Sequence, residues 1–518
     1  MLKKLVFTKA GLFVVALGFI AFCVVLPSCS IKPLPLAAVV VIDQINLIDV
    51  KNRQIVWQQQ IELRNGNISA IRPAGTPIED ANALVIDGLN GYLTPGLFDM
   101  HVHVSDTAAL QLSLSHGVTH LRVMHGLPQH LKWRDAIDNN EMIGSSMTVS
   151  SPILSATKRP TTIHITDEKE AKEAVRAAYA DGYDLIKAYG DLSAQSLSAV
   201  LAEAADLHLP VAKHGPHPSG TMPWQGLAGM QSLEHVEDIY QGPLHYKQDL
   251  AALAEVIDQL KTLQVPITPT LNIFWQLTAI SRDKEVFLAT LPQDYISPLI
   301  AYEERRNQVE RWLQSSDKMA THNSQTLQFL LQITRQLHQA GVPLLVGSDA
   351  GVLLSPYGLA AHTEMQLLQQ AGLDSFDVLH AATIEPAKAL GLAKLAGQIR
   401  PGYKADFIYS KGNPISELSV LREPDAVMKS GRWYNKRQLT ELRHQAIEGR
   451  SLVQELWGTL ANLKSGQAAS LNRHLFAPLC VALSSHSSLW RTTKRLEIHK
   501  NLRIPSVKSS AFKRCKFN

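Results

Sequence analysis

Four short runs of strand-like hydrophobic pattern lie between residues 37 and 86, separated by turn signals. The runs are Ala37–Ile48, Ile55–Leu63, Asn67–Ile71 and Ala83–Ile86. Asn65-Gly66 and Asp87-Gly88 interrupt them, and both dipeptides favour tight turns. The pattern predicts a small β domain over residues 37–95.

A long middle region, residues 96–396, alternates apolar strand-like runs with helical stretches. Val118–Val123 precedes Pro128–Asp138, and Leu185–Ala188 precedes Ser193–Leu207. Alternation of this kind favours a parallel α/β architecture, and the length suits a (β/α)8 TIM barrel.

The segment between Tyr240 and Gly341 is longer than one strand–helix repeat needs and is rich in charged and amide residues. Two interpretations stay open. It either adds helices that cover a site, or forms a plain repeat with a solvated helix.

Strand-like pattern returns at Ala405–Tyr409 and Ala426–Met428. Residues 397–435 are therefore predicted to complete a composite β-sandwich with the N-terminal β segment. A helical stripe of apolar residues follows over 436–464. Residues 465–518 are basic and without periodicity, which is typical of a disordered tail, and we assign them no function.

The N-terminal residues 1–29 have the pattern of an export signal. Three lysines within the first nine residues precede an apolar run from Ala10 to Leu26. Leu26-Pro27-Ser28-Cys29 resembles a bacterial lipoprotein signal, which makes Cys29 a candidate for lipidation. A plain signal peptide and an uncleaved membrane anchor are the alternatives. Each places the body in the bacterial envelope, periplasmic or attached to the membrane.

Composition narrows the chemistry. Hydrophobic residues make up 45% and charged residues 19% of the 518 positions, as in ordinary globular proteins. A net charge of +4 gives no reason to expect a nucleic-acid partner. The four cysteines, Cys23, Cys29, Cys480 and Cys515, all lie outside the middle region. A metal bound there must have nitrogen and oxygen ligands, which excludes a thiolate site.

Six potential metal ligands lie at the ends of strand-like segments in the middle region. They are His101 and His103 in TPGLFDMHVHV, Lys187 in YDLIKAY, His214 in LPVAKHG, His235 in MQSLEHVED and Asp349 in VPLLVGSDAG. In a barrel of parallel strands such ends meet at one face. The nitrogen and carboxylate set suits Zn first, with Mn, Fe and Co as alternatives.

Lys187 adds a specific possibility. A buried lysine either forms an ion pair or, with a lowered pKa, reacts with carbon dioxide. The resulting carbamate (N6-carboxylysine) could bridge two divalent cations about 3.5–4 Å apart. Asp349 could then take a proton from water and pass it to a leaving atom.

The motifs together resemble the amidohydrolase superfamily. Besides the five segments that contain the six ligands, GVTHLRVM and AATIEPAKALGLAKLAGQIRPGYKADFIY follow its order, over roughly Val39 to Tyr434. The resemblance is strongest to imidazolonepropionase-like and Xaa-Pro dipeptidase-like enzymes. It implies that His101 and His103 hold one metal and His214 and His235 the second. Carbamylated Lys187 would bridge, and Asp349 would contact metal and carry the proton.

Two further residues are candidates for substrate binding. Arg122 could hold a substrate carboxylate with two hydrogen bonds, or could form a structural ion pair. Tyr189 shares a strand face with Lys187, and could equally be a packed core tyrosine. Extra histidines at 120, 125 and 217 depart from the family pattern. They could contact substrate, but we favour their interpretation as neutral surface or supporting residues.

These observations predict a binuclear metallohydrolase that cleaves a C–N bond in a small substrate, for example an Xaa-Pro dipeptide. A deaminase or lactonase on the same fold is the alternative, and a non-catalytic binding homologue is a third. The expected partners are a small-molecule or dipeptide substrate, a membrane contact through the N-terminus and a second copy of the chain.

Overall fold

The computed structural model describes residues 31–159 and 161–450. The predicted signal or anchor, Cys29, the basic tail and the end of the predicted C-terminal helix lie outside these residues. Within them, no helix has both the length and the apolar character that crossing a bilayer requires.

Seventeen strands are present in the described ranges. They are β1 (Val39–Asp49), β2 (Gln54–Arg64), β3 (Asn67–Pro73), β4 (Leu84–Asp87), β5 (Tyr92–Pro95), β6 (Leu97–Val102), β7 (Val118–Val123), β8 (Ser146–Val149), β9 (Leu154–Ser155), β10 (Ile163–His164), β11 (Ile186–Ala188), β12 (Val211–His214), β13 (Ser232–Glu234), β14 (Ile267–Thr268), β15 (Phe407–Ser410), β16 (Ala426–Lys429) and β17 (Arg432–Asn435).

The α-helices alternate with the strands of the middle region and extend beyond it. They are α1 (Ala108–Ser115), α2 (Pro128–Asp138), α3 (Glu168–Ala180), α4 (Ala194–Asp206), α5 (Glu237–Gln241), α6 (Leu250–Leu263), α7 (Leu271–Leu288), α8 (Pro298–Glu304), α9 (Glu310–Leu313), α10 (Asp317–Gln339), α11 (Leu359–Gln370), α12 (Ser375–Ala382), α13 (Ile384–Ala389) and α14 (Lys436–Glu448). Short 3-10 turns at Trp224–Leu227 and Leu418–Leu421, and a π-helix at Arg305–Val309, complete the set.

Strands from both flanks of the chain form one mixed sheet. Its order is β17-β16-β15-β5-β1-β2-β3, and β4 also pairs with β1. The flanks are joined because β5 pairs with β1 on one side and with β15 on the other. Ile42, Ile45 and Phe407 are fully buried and belong to one hydrophobic cluster. Hydrogen bonding thus joins the two flanks of the chain into one continuous sheet.

The middle region is α/β with parallel strands. One sheet has the order β6-β7-β8, and the other β10-β9-β11-β12-β13-β14. Regular ladders among the described residues do not close into a ring. Isolated parallel bridges link the edges at Ser150–Leu185, Ile267–Leu344 and Val102–Ala350.

The apolar segment 342–347 is not a regular strand, contrary to the sequence prediction. It nevertheless runs between two strands of the parallel sheets. The Leu345 N–H donates to Ile267 O at 2.9 Å, and the Met100 N–H donates to Val346 O at 2.8 Å. The ladder is incomplete because Val346 N–H turns away to donate to Ala381 O, in α12.

Helix boundaries follow local chemistry. Asp167 precedes α3 and accepts a hydrogen bond from Glu170 N–H at 2.8 Å, while Ser193 precedes α4 and accepts from Ser196 N–H at 3.0 Å. Each such cap satisfies an N–H that has no partner within the helix. These caps fix the helices whose packing holds the parallel strands and their carboxyl ends.

Candidate metal centre

Three buried side chains converge near the carboxyl ends of the parallel strands. His101 lies in β6, His235 follows β13, and Asp349 follows the extended segment 342–347. One ligand atom from each lies within 4.8 Å of the others. Two imidazole nitrogens and a carboxylate oxygen are a donor set that Zn favours. These predicted ligands therefore form a cluster that could hold a cation.

His103 extends this cluster. Its Nε2 lies 3.0 Å from Oδ1 of Asp349, and Nε2 of His101 lies 3.7 Å from the same oxygen. Both histidines belong to one strand segment and are two residues apart, so their side chains leave the same face. The alternation of His101 and His103 thus brings both rings to Asp349.

His214 lies at the end of β12 beside His235. The two ring centroids are 4.3 Å apart. Nε2 of His214 lies 3.0 Å from Oδ2 of Asp238, a residue that the sequence analysis did not single out. His214 therefore borders the cluster, with its ring orientation set by a carboxylate three residues beyond His235.

Lys187, in β11, is 1% exposed, and its Nζ has no hydrogen-bond partner among the described residues. Buried polar atoms are normally paired, so a lone buried amine requires an explanation. The predicted carbamate would supply one, because its oxygens would bind cations held by the neighbouring imidazoles. The residues at this site thus fit a carbamate-bridged metal pair.

The protonation states also favour metal binding. Burial, with the charge of Lys187, lowers the pKa of His101 to about 4. Burial and the neighbouring His214 hold the pKa of His235 well below its ordinary value. Burial lowers the pKa of Lys187 to about 8. At neutral pH both rings are therefore neutral, the form in which imidazole binds a metal.

Asp349 is the anionic member of the cluster. Burial by itself raises the pKa of its carboxyl, but the facing His101, His103 and His235 outweigh burial and hold the pKa well below the ordinary value. The carboxylate is thus ionised and available as a ligand or a proton acceptor.

Hydrogen bonds fix the orientation of two of the rings. Nδ1 of His101 lies 2.8 Å from Oε2 of Glu234. Nδ1 of His235 lies 2.7 Å from Oγ1 of Thr270, which itself donates to Pro269 O. In both rings Nδ1 is engaged and Nε2 is left for the cluster.

Glu234 and Thr270 were missed by the sequence analysis. Glu234 had one available signal, because it directly precedes His235 at the end of the same predicted strand. Thr270 had none, since it lies 35 residues from its partner.

The backbone around the ligands is strained. His235 and Asp349 have φ values of +72° and +54°, in the left-handed region that costs non-glycine residues about 1–3 kcal/mol. Gly351, at φ +94°, lies against the other ligand strand: a Cβ there would be 2.2 Å from His103 O. The close approach of these loops therefore requires glycine at position 351.

The structure corrects the role that the sequence analysis predicted for Arg122. It is fully buried, and its guanidinium donates to Met100 O at 2.7 Å, Ser232 Oγ at 2.7 Å and Glu234 Oε1 at 2.8 Å. A substrate carboxylate cannot reach it, so the prediction of substrate binding was wrong. Arg122 forms a structural ion pair that holds Glu234 against His101.

Tyr189 lies beside the cluster. Its ring stacks on His214, with centroids 4.3 Å apart and an interplanar angle of 28°. Its contact with substrate stays a prediction. The extra histidines face other groups: His120 bonds to Thr148, His125 to Thr161 O and His217 to Pro218 O.

The segment 240–341 forms added helices, and one of them reaches the site. Oε2 of Glu304, at the end of α8, accepts a hydrogen bond from Leu353 N–H at 2.8 Å. Leu353 belongs to the loop that follows Asp349. A π-helix begins at Arg305, directly after this contact, and π-bulges are frequent at functional sites.

Comparison with known proteins identifies the family to which the chain is similar. The model of the amidohydrolase family matches residues 92–434. Ochratoxinase of Aspergillus niger is 24% identical over 274 residues, which cover 50% of this chain and 47% of the relative. The chain thus spans about half the length of the curated relatives it matches.

Solved structures share the fold at low identity. A Xaa-Pro dipeptidase with bound methionine is 21% identical with a TM-score of 0.59, covering 77% of this chain and 100% of that one. A bottromycin amidohydrolase is 22% identical with a TM-score of 0.67, covering 80% and 90%. At this identity the likeness shows the fold alone.

Proposed function

Because this chain belongs to the amidohydrolase family, we propose that it is a metal-dependent hydrolase that cleaves an amide or peptide C–N bond in a small substrate. The observation that carries the proposal is the buried convergence of His101, His235 and Asp349 beside the unpaired amine of Lys187.

In this proposal two divalent cations, zinc in the first place, are held by the predicted ligands. His101 and His103 would hold one, His214 and His235 the other, with carbamylated Lys187 and Asp349 completing the site. When bound, such ions polarise a substrate carbonyl and lower the pKa of water towards about 7.

The chain's own residues prepare the site for hydrolysis. Glu234 and Thr270 orient the rings of His101 and His235, so that little reorganisation is needed when substrate binds. The ionised Asp349 would accept a proton from the attacking water at its free carboxylate oxygen and deliver it to the leaving nitrogen.

We also propose that the parallel strands form an eight-membered barrel. The support is the series of single bridges that link β8 to β11, β14 to segment 342–347 and that segment's end to β6. In this proposal the single bridges close the circuit that the two parallel sheets begin.

The test uses the full-length chain, a Lys187→Ala variant and Lys429→Ala as control. Lys429 is also a buried lysine, 4% exposed, but it pairs with Asp406 in the mixed sheet. Metal content per chain is measured by mass spectrometry. Hydrolysis is measured separately with Xaa-Pro dipeptides, N-acyl amino acids and lactones as substrates.

About two metals per chain in the parent and in Lys429→Ala, with fewer in Lys187→Ala together with lost amide hydrolysis, would support the proposal. One metal in every variant, unaffected by Lys187, would overturn the bridged site. Lactone hydrolysis without amide hydrolysis would overturn the C–N assignment and leave a lactonase.

A further inference from the structure

Between β9 and β10, the described residues on both sides of position 160 form hydrogen bonds with residues close to the site. The carboxylate of Asp191 accepts hydrogen bonds from Ala156 N–H and Thr157 N–H, both at 3.0 Å. At the other end Nε2 of His125 lies 2.9 Å from Thr161 O. The His125 ring in turn lies 6.2 Å from the ring of the predicted ligand His103. The described residues 156–159 and 161–162 therefore border the site.

Arg159 in this loop lies over Tyr189. Its guanidinium carbon is 4.6 Å from the ring centroid, and the same ring stacks on His214 at 4.3 Å. The charged group is thus separated from a predicted metal ligand by the thickness of one ring. No hydrogen bond among the described residues uses an N–H group of this guanidinium, so these donors are left for a ligand.

The charge of Arg159 is not neutralised by a neighbour. Its side chain is exposed, and no ion pair joins it to a carboxylate within residues 31–159 and 161–450. Arg122, the earlier candidate for carboxylate binding, has its donors bonded to protein acceptors in the interior. Of the two arginines, Arg159 is exposed and Arg122 is enclosed in the interior.

We propose that Arg159 binds the free carboxylate of the substrate, and that the substrates are therefore N-acyl amino acids or dipeptides with an unblocked C-terminus. This inference rests on the proposed function. In such molecules the carboxylate lies one residue beyond the scissile bond, about 4 Å away. The planar guanidinium can receive both carboxylate oxygens while Tyr189 holds its plane beside the metal centre.

The test compares matched acids and amides: alanyl-proline with alanyl-prolinamide, and N-acetyl-alanine with N-acetyl-alaninamide. It uses the full-length chain, Arg159→Gln, and Lys158→Gln as control, since Lys158 is an equally charged and exposed neighbour. We expect Arg159→Gln to lower kcat/KM for the acids about ten- to hundred-fold, mainly through KM, because a charge-assisted pair is lost. Hydrolysis of the amides, and both activities of Lys158→Gln, should stay near the parent values.

Equal losses for acids and amides in Arg159→Gln would overturn the inference, since they indicate a general structural effect. So would a larger acid-specific loss in Lys158→Gln than in Arg159→Gln.

Binding separates this inference from the proposed function. Calorimetry with N-acetyl-alanine and its amide is run on the same three proteins. If the parent hydrolyses nothing, the proposed function fails, while acid-selective binding that disappears in Arg159→Gln would still support the carboxylate site. Binding of acid and amide with equal affinity in the parent would overturn the carboxylate site itself.

Discussion

Oε2 of Glu234 lies 2.8 Å from Nδ1 of His101, and the two side chains are 0% and 1% exposed. Burial raises the pKa of Glu234, but Arg122, His101 and Lys187 outweigh it and hold the pKa well below its ordinary value. The carboxylate therefore accepts the Nδ1–H of a neutral ring, and the lone pair on Nε2 is presented to the metal cluster. A buried ion pair thus sets the tautomer of a predicted ligand.

Removing the charge of Glu234 beside His101 should lower metal affinity. Glu234→Gln keeps an acceptor for His101 but removes the charge that raises the basicity of its ring. We expect zinc affinity to fall about 10- to 100-fold, measured by competition with a chromophoric chelator. Glu203→Gln is the control, because Glu203 pairs with Arg176 in a different contact. Unchanged affinity in Glu234→Gln would show that the pair serves stability alone.

Removing Arg122, the cation that pairs with Glu234, should destabilise the fold. Arg122→Met leaves the Glu234 carboxylate buried without its partner, and breaking a buried pair in this way costs about 3–5 kcal/mol. Denaturant unfolding of the metal-free protein measures the loss. The double variant Arg122→Met with Glu234→Leu should regain part of it, because no buried charge is then left unpaired. A single variant as stable as the parent would contradict this account.

Chelation should lower the thermal unfolding midpoint. The ligands His101, His235 and Asp349 come together only in the folded chain, so a bound ion stabilises that state by mass action, about 2.7 kcal/mol at a hundred times Kd. Differential scanning fluorimetry with and without zinc checks this. His235→Ala should abolish most of the zinc-dependent shift, whereas His338→Ala, which faces Asp377, should keep it. The expectation fails if zinc has the same effect on both variants.

The stability of the metal-free chain should rise with pH above neutrality. Burial lowers the pKa of Lys187 to about 8 from 10.5, so between these values the unfolded chain binds a proton that the folded chain does not. The penalty for burying the charged amine is fully present below about pH 8 and disappears as pH approaches 10.5.

The shift corresponds to about 3 kcal/mol at most. Free energies of unfolding in CO2-free, metal-free buffer from pH 7 to 10 measure it. Lys187→Met should flatten this part of the curve relative to the parent. Parallel curves for the two proteins would show that Lys187 is charged in the folded state.

Local pattern was enough to place most elements and the metal-ligand candidates. The strand Val118–Val123 and the helix Pro128–Asp138 have the bounds that the sequence predicted. Their periodicity and turn residues act over a few positions, so they can be read without a structure. The same holds for His101 and His103, whose spacing alone puts them on one face of a strand.

Contacts between distant segments were decided by the tertiary structure. His101 and Glu234 are 133 residues apart, and no periodicity connects them. Arg122 illustrates the limit, because a guanidinium suits a substrate carboxylate and an internal Glu234 equally well. Only packing determined that Arg122 is enclosed while Arg159 stays exposed over Tyr189. The sequence by itself determined which chemical groups are available near the strand ends. The tertiary structure decided which of these groups point into the site, because burial and pairing depend on how the strands assemble.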